Sequence, residues 1–288
     1  MRRTAWRRHA AWTVANVAVL LFILLPLVAI VFASVQTEKA LIVNVTNPLP
    51  KELTALNFEI VLLGKQSPIY LPSTLANFRR AFGNSVVVAS VVTLICLSLA
   101  ALAGYAAARL GLRWVRSLMY VNLSARMVPI IVVLVPLFIT LRNLHLLNSL
   151  TGVIVTEVGF LLPYAVWMLA GYLETIPGEL EDAARIDGCT RVGALWRIIL
   201  PLAMPGVAAT GVILFIFSWN ELVIPLVVAT TPAAMTLPVL LASMVTDFNI
   251  MFTILMTICL IGLLPTVILA MIFQRSVIRG LLAGAMKG

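Results

Sequence analysis

The sequence predicts an all-α, polytopic membrane protein: six transmembrane helices joined by loops, with short extra helices on the cytoplasmic side. Three observations carry this. Mean hydropathy is +1.09, and apolar residues make up 62% of 288 while charged ones make up 11%, far beyond what one soluble core needs. Six windows each approach the roughly 20 apolar residues that cross a hydrocarbon layer. The basic residues cluster beside alternate loops, which is the pattern of the positive-inside rule.

The elements follow in order. Residues 1–13 form a basic N-terminal anchor with Arg2, Arg3, Arg7 and Arg8, and residues 14–34 form the first span. At about 20 apolar residues this span exceeds the 7 to 15 of a signal-peptide core, so it is expected to stay attached. A long outer loop covers 35–84, turn-rich through Asn44, Asn47, Pro48, Pro50, Gly64, Pro68 and Pro72. The remaining spans are placed at 85–108, 118–141, 153–173, 202–229 and 252–273, with a basic tail from 274 to 288. Arg109, Arg113 and Arg116, then Arg185, Arg191 and Arg197, then Arg275, Arg279 and Lys287 fall on the same side as the N-terminal arginines. Both termini are therefore expected in the cytoplasm. The net charge of +9 is distributed by topology rather than gathered on one face, which argues against nucleic acid. Cys96, Cys189 and Cys259 lack CxxC spacing, so neither a disulfide framework nor a metal site is expected.

One stretch interrupts the apolar pattern. The loop 174–201 holds Glu174, Glu179, Glu181, Asp182 and Asp187, five of the eleven acidic residues, and acids contribute little to orientation. Pro177 and the early acids suit a helix start, and Gly188 interrupts the run about three turns later. After it, Val192, Leu195, Trp196 and Ile199 recur at helical spacing and predict an apolar face. The reading is helix, bend, helix: a compact polar knob suited to a cleft on a soluble protein.

The same residues resemble the EAA loop of ABC importer permeases, in which EAA is followed by three residues, Gly, nine residues and I-x-L-P. Here the pattern reads Asp182-Ala183-Ala184, Gly188 and Ile198-Ile199-Leu200-Pro201, with Asp182 in place of the usual Glu and Glu181 adjacent. The resemblance extends over Asn77 to Gly288 and is closest to the carbohydrate-importing, maltose-type branch, through NFRRAFGNSVVVAS, RMVPIIVVLVPLF, LPYAVWMLAGYLETIPGELEDAARIDG, FSWNELVIPL and QRSVIRGLLAGAMKG. It implies a permease subunit in a bacterial inner membrane whose loop supplies coupling helices. Its implied partners are a second permease subunit in a heterodimer, two copies of a cytosolic P-loop ATPase and an extracytoplasmic sugar-binding protein. Glu181, Asp182, Ala183, Ala184, Asp187, Gly188, Trp196, Ile198, Leu200 and Pro201 would form the ATPase joint. No cofactor is implied on this chain, since ATP and Mg belong to the partner.

Polar groups inside spans mark sites or pairs. Trp219, Asn220 and Glu221 in span five combine a flat apolar surface with an amide and a carboxylate, the groups that recognise sugars. Successive helical residues point about 100° apart, so Asn220 or Glu221, not both, is expected to face the pathway. Asn122 and Arg126 in span three are further pathway candidates. An Arg126–Glu221 pair is disfavoured by depth, roughly 12 to 15 Å against 27 to 30 Å from the cytoplasmic end at 1.5 Å per residue. No HExxH, GxSxG or phosphate-binding glycine loop occurs, so no enzymatic reading arises. The alternative is an ATP-independent secondary transporter or channel, which would not require an acidic cytosolic knob.

Overall fold

The computed structural model describes residues 2–43, 52–65, 72–110, 117, 121, 124, 128–245 and 251–285. Its helices, in order, are α1 (Arg2–Ser34), α2 (Glu38–Val43), α3 (Leu56–Phe58, continued by a π turn Glu59–Leu63), α4 (Pro72–Arg109), α5 (Ile130–Asn143), α6 (Leu150–Leu173), α7 (Glu179–Ile186), α8 (Arg191–Ala194, continued by a π turn Leu195–Ile199), α9 (Leu200–Trp219), α10 (Val223–Val228), α11 (Leu237–Ser243) and α12 (Phe252–Ala285). No strand occurs among the described residues. Five segments there are long and apolar enough to cross a membrane: Trp12–Ser34, Ala76–Arg109, Leu150–Leu173, Arg191–Trp219 and Phe252–Arg275. The first part of the third predicted span, 118–141, falls mostly on residues outside those described; its latter part is α5, a shorter apolar helix.

Two compact units divide the chain. The first comprises Met1–Arg79 and Leu241–Leu264. Beyond Asn16, α1 is apolar on all sides, with Phe22 80% exposed, as expected of a helix meeting lipid. The described parts of the loop that follows hold short helices and specific hydrogen bonds. Asn57 is buried and its amide donates to the carbonyls of Ser34 (2.8 Å) and Gln36 (2.7 Å), folding the loop back on the end of α1. Glu38 accepts from the Phe252 (3.1 Å) and Thr253 (2.9 Å) amides and the Thr253 hydroxyl (2.8 Å), capping α12 where the helix dipole favours an anion. The stretch 35–84, expected as an outer loop, contains α2 and α3, and α4 begins within it at Pro72.

The second unit comprises Arg80–Leu240 and Pro265–Gly288. Its core is built on α4, α6 and α9, around Val92, Cys96, Leu169, Leu173, Ile199 and Leu214. Small residues let these backbones approach. A Cβ added at Gly206 of α9 would lie 2.2 Å from the Tyr172 ring of α6, and one at Gly104 of α4 would lie 3.1 Å from the Ala170 amide nitrogen. Asn148, at φ 56°, accepts from the amides of Thr230 (3.1 Å) and Thr231 (3.2 Å), joining the α5–α6 loop to the end of α10. The fifth predicted span, 202–229, is corrected as well: α9 stops at Trp219 and the chain restarts as α10 at Val223.

Candidate functional site: a polar knob and a carboxyl-lined cavity

The segment after α6 folds as two short helices at a fixed elbow. Glu179, Glu181 and Asp182 occupy the first turn of α7, facing its positive dipole end. The helix ends in a Schellman pattern: the Gly188 amide donates to the Arg185 carbonyl (3.1 Å) and the Cys189 amide to the Ala184 carbonyl (2.9 Å). Gly188 has φ +86°, a conformation that a side chain disfavours. Two residues later the Thr190 hydroxyl accepts from the Gly193 amide (3.1 Å) and caps α8. Gly188 and Thr190 therefore end one helix and start the next within three residues.

The predicted single apolar face of the second helix is split. Leu195 and Ile199 are fully buried in the core, whereas Val192 and Trp196 are 62% and 56% exposed. Adjacent residues on a helix point about 100° apart, and the wide π turn rotates the stripe further. Leu180 and Ile186 are also exposed, and Asp182, Ala183, Asp187 and Gly188 share the surface with them. Ala184 is buried, Ile198 and Leu200 are half-buried, and Pro201 is exposed at the start of α9.

Glu181 departs from expectation. It is buried, and the Tyr105 hydroxyl of α4 donates to its Oε1 at 2.5 Å. Its Oε2 lies 3.9 Å from Arg109 Nε, and the Arg109 guanidinium donates to the carbonyls of Leu173 (3.1 Å) and Ile176 (2.5 Å). The knob is latched to α4 by this cluster. Asp182 is left as the acid of the motif that faces outward, with Glu181 turned away from the surface.

A second site lies between α5, α6, α9 and α10. A cavity of about 510 Å³ is lined by Glu157, Phe160, Phe217, Asn220, Glu221 and Ile224, among others. Trp219 is absent from its wall: the residue is buried, its ring stacked on Phe215 at 5.8 Å and edge-on to Phe82 at 5.4 Å. The expectation that only one of Asn220 and Glu221 faces the pathway assumed an unbroken helix. The Asn220 amide instead donates to the Ile216 carbonyl (2.8 Å), and Glu221 Oε1 accepts from the amides of Val223 (2.9 Å) and Ile224 (3.1 Å). These bonds end α9 and cap α10, and both side chains reach the same cavity. Asn122 and Arg126 lie outside the described residues, as does any pairing of Arg126.

Residues 97–282 match the family described as the binding-protein-dependent transport system inner membrane component. The chain belongs to that family. The permease is 34% identical to the sulfoquinovosyl glycerol transport system permease protein SmoH of Agrobacterium fabrum, over 92% of its own length and 89% of the relative's. It is 31% identical to the trehalose transport system permease protein SugB of Mycobacterium tuberculosis, covering 98% and 99% of the two chains. Its fold matches a chain in the crystal structure of a bacterial ABC transporter involved in the import of the acidic polysaccharide alginate, with a TM-score of 0.72 at 22% identity, covering 93% of the permease and 97% of that chain. The permease is an ABC importer subunit, and the stand-alone carrier reading falls away.

One residue of the permease escaped the sequence reading. Glu157 lies within α6, 1% exposed; the Ser218 hydroxyl donates to its Oε2, and its Oε1 has no hydrogen-bond partner among the described residues. An orphaned buried acceptor costs about 1–3 kcal/mol. The clue was a lone acid in an otherwise apolar span, which averaging over the window conceals.

Proposed function

We propose that the permease forms one half of the membrane pathway of an ATP-driven sugar importer, paired with a second permease subunit. Two cytosolic P-loop ATPases bind beneath it, and an extracytoplasmic binding protein delivers the sugar. The termini and the knob face the cytoplasm, as the positive-inside rule requires. Support for the sugar comes from relatives named for sulfoquinovosyl glycerol and trehalose transport.

The observation that carries the coupling role is the knob surface, where Ile186, Val192 and Trp196 stand exposed beside Asp182 and Asp187. Exposed apolar groups rimmed by charge mark a protein contact. In this reading those residues enter a cleft on the ATPase, and Gly188 and Thr190 hold the angle at which they enter. Leu195 and Ile199 anchor the knob to the core, and the Glu181 latch passes its displacement to α4. Closure of the ATPase pair then moves the spans as rigid elements. The permease supplies the path, and its partners bind and hydrolyse ATP.

The test is co-purification from native cells in mild detergent. Wild type retains a P-loop ATPase and a second permease; Trp196→Ala and Gly188→Pro lose the ATPase while the permease itself remains monodisperse. Retention of the ATPase by both variants, or its absence from wild type, overturns the coupling reading.

A further inference from the structure

We infer that a recess between α5 and α6, separate from the carboxyl-lined cavity, seats one acyl chain of an anionic phospholipid whose headgroup meets Arg142. Only the choice of leaflet, the extracytoplasmic one, rests on the topology proposed above.

The recess has a volume of about 420 Å³ and is bounded by Leu137 and Leu141 of α5 and by Val155, Thr156, Gly159 and Pro163 of α6, among others. Leu141 and Thr156 are buried on its inner side, whereas Val155 and Gly159 are exposed, so it opens sideways along a helix long and apolar enough to cross the membrane. Its two threonines turn their hydroxyls to their own helices: Thr140 Oγ1 donates to the Pro136 carbonyl (2.8 Å) and Thr156 Oγ1 to the Gly152 carbonyl (2.7 Å). The wall therefore presents chiefly carbon, which a hydrocarbon chain matches and a hydroxylated ligand does not.

Depth and size select the occupant. The α6 lining runs from Val155 to Pro163, roughly 8 to 20 Å from the start of the helix at 1.5 Å per residue, the depth of one leaflet's chains in a hydrocarbon layer about 30 Å thick. A helix with its side chains is about 10 Å across, so even 10 Å of its length takes up roughly 800 Å³. A neighbouring subunit could reach in only with single side chains, while an acyl chain enters along its length.

Charge selects the headgroup. Arg142 stands exposed in the last turn of α5, the turn that gives Leu141 and Leu144 to the recess. The positive-inside bias runs against an arginine on this side of the membrane, and a lipid phosphate at the interface offsets that. Phe160 lines both this recess and the carboxyl-lined cavity, so a seated chain bears on the wall of the transport path.

The test uses the permease purified with its partners from native membranes, stripped of lipid and returned to phosphatidylcholine nanodiscs. The probe is phosphatidylglycerol carrying a diazirine in one acyl chain, with phosphatidylcholine bearing the same group as the comparison. After irradiation, peptide mapping is expected to place the label on residues 137–146 and 155–163. The phosphatidylcholine probe is expected to label them about fivefold less, the weight of one basic residue near an anionic headgroup. Arg142→Gln is expected to erase that preference. Gly159→Leu puts a side chain where an added Cβ meets open space, and is expected to lower the labelling on the order of tenfold by excluding the chain. Labelling as strong in Gly159→Leu as in wild type overturns the inference, as does an unchanged headgroup preference in Arg142→Gln. If Gly159→Leu fails to assemble, the wild-type map and the surface variant Arg142→Gln decide. A Gly159→Cys variant that crosslinks to the second permease while the recess takes up no lipid label makes it a subunit contact and overturns the inference. ATPase retention is not read in any arm, so failure here leaves the coupling reading standing.

Discussion

Glu181 and Asp182 are adjacent in sequence and opposite in environment. One helical step places the first against Tyr105 and Arg109 and the second in solvent. Their substitutions should therefore fail differently. Tyr105→Phe removes the donor to Glu181 and leaves a buried carboxylate oxygen short of a partner, at about 1–3 kcal/mol. The expected outcome is a lower melting temperature of the purified complex and ATP hydrolysis that no longer tracks transport. Asp182→Asn should leave the melting temperature unchanged and weaken ATPase retention. Equal melting temperatures for Tyr105→Phe and wild type would remove the latch from the account. Composition cannot reveal such a pair, because 76 positions separate Tyr105 from Glu181 and the contact exists only once α4 packs beside α7.

Among the elements, the elbow and the broken helix show what local chemistry adds to hydropathy. The bend at Gly188 was readable because a glycine ended a helical run, and the structure gives it a positive φ and a Schellman pattern. Thr190 went unread although it is a standard capping residue, since the single interruption at Gly188 already accounted for the bend. Gly188→Ala should cost about 1–2 kcal/mol, and Thr190→Ala about 1 kcal/mol. Both are measured as loss of ATPase retention in a detergent titration. Leucine at Gly188, unable to relieve the same strain, should lose at least as much as alanine. The break after Trp219 was hidden by a different cause. Residues 202–229 read as one apolar window, yet Asn220 and Glu221 hydrogen-bond their own backbone and substitute for helical bonds at the break. Averaged hydropathy registers two polar residues as a dip rather than as an end.

For the molecule as a whole, the all-helical membrane character and the spacing of the polar motif were legible because both are periodic or fixed-distance features of sequence. The cavity was only half legible: Asn220 and Glu221 were singled out and line it, Trp219 is buried against Phe82 and Phe215 instead, and Glu157 emerged only when α6 met α9. Orientation has its own test. Cys189 sits at the elbow, and with Cys96 and Cys259 changed to alanine it is the sole thiol of the chain. A membrane-impermeant maleimide should label it in inside-out vesicles and spare it in intact cells; the reverse result would invert the topology. The latch has a last consequence, for how such permeases can be recombined. A loop transplanted between relatives as the contiguous stretch 174–201 would leave behind part of its foundation, Tyr105 and Arg109, far upstream. The exchangeable module is discontinuous, so a graft that moves the loop without those two residues would carry a hinge without its strut.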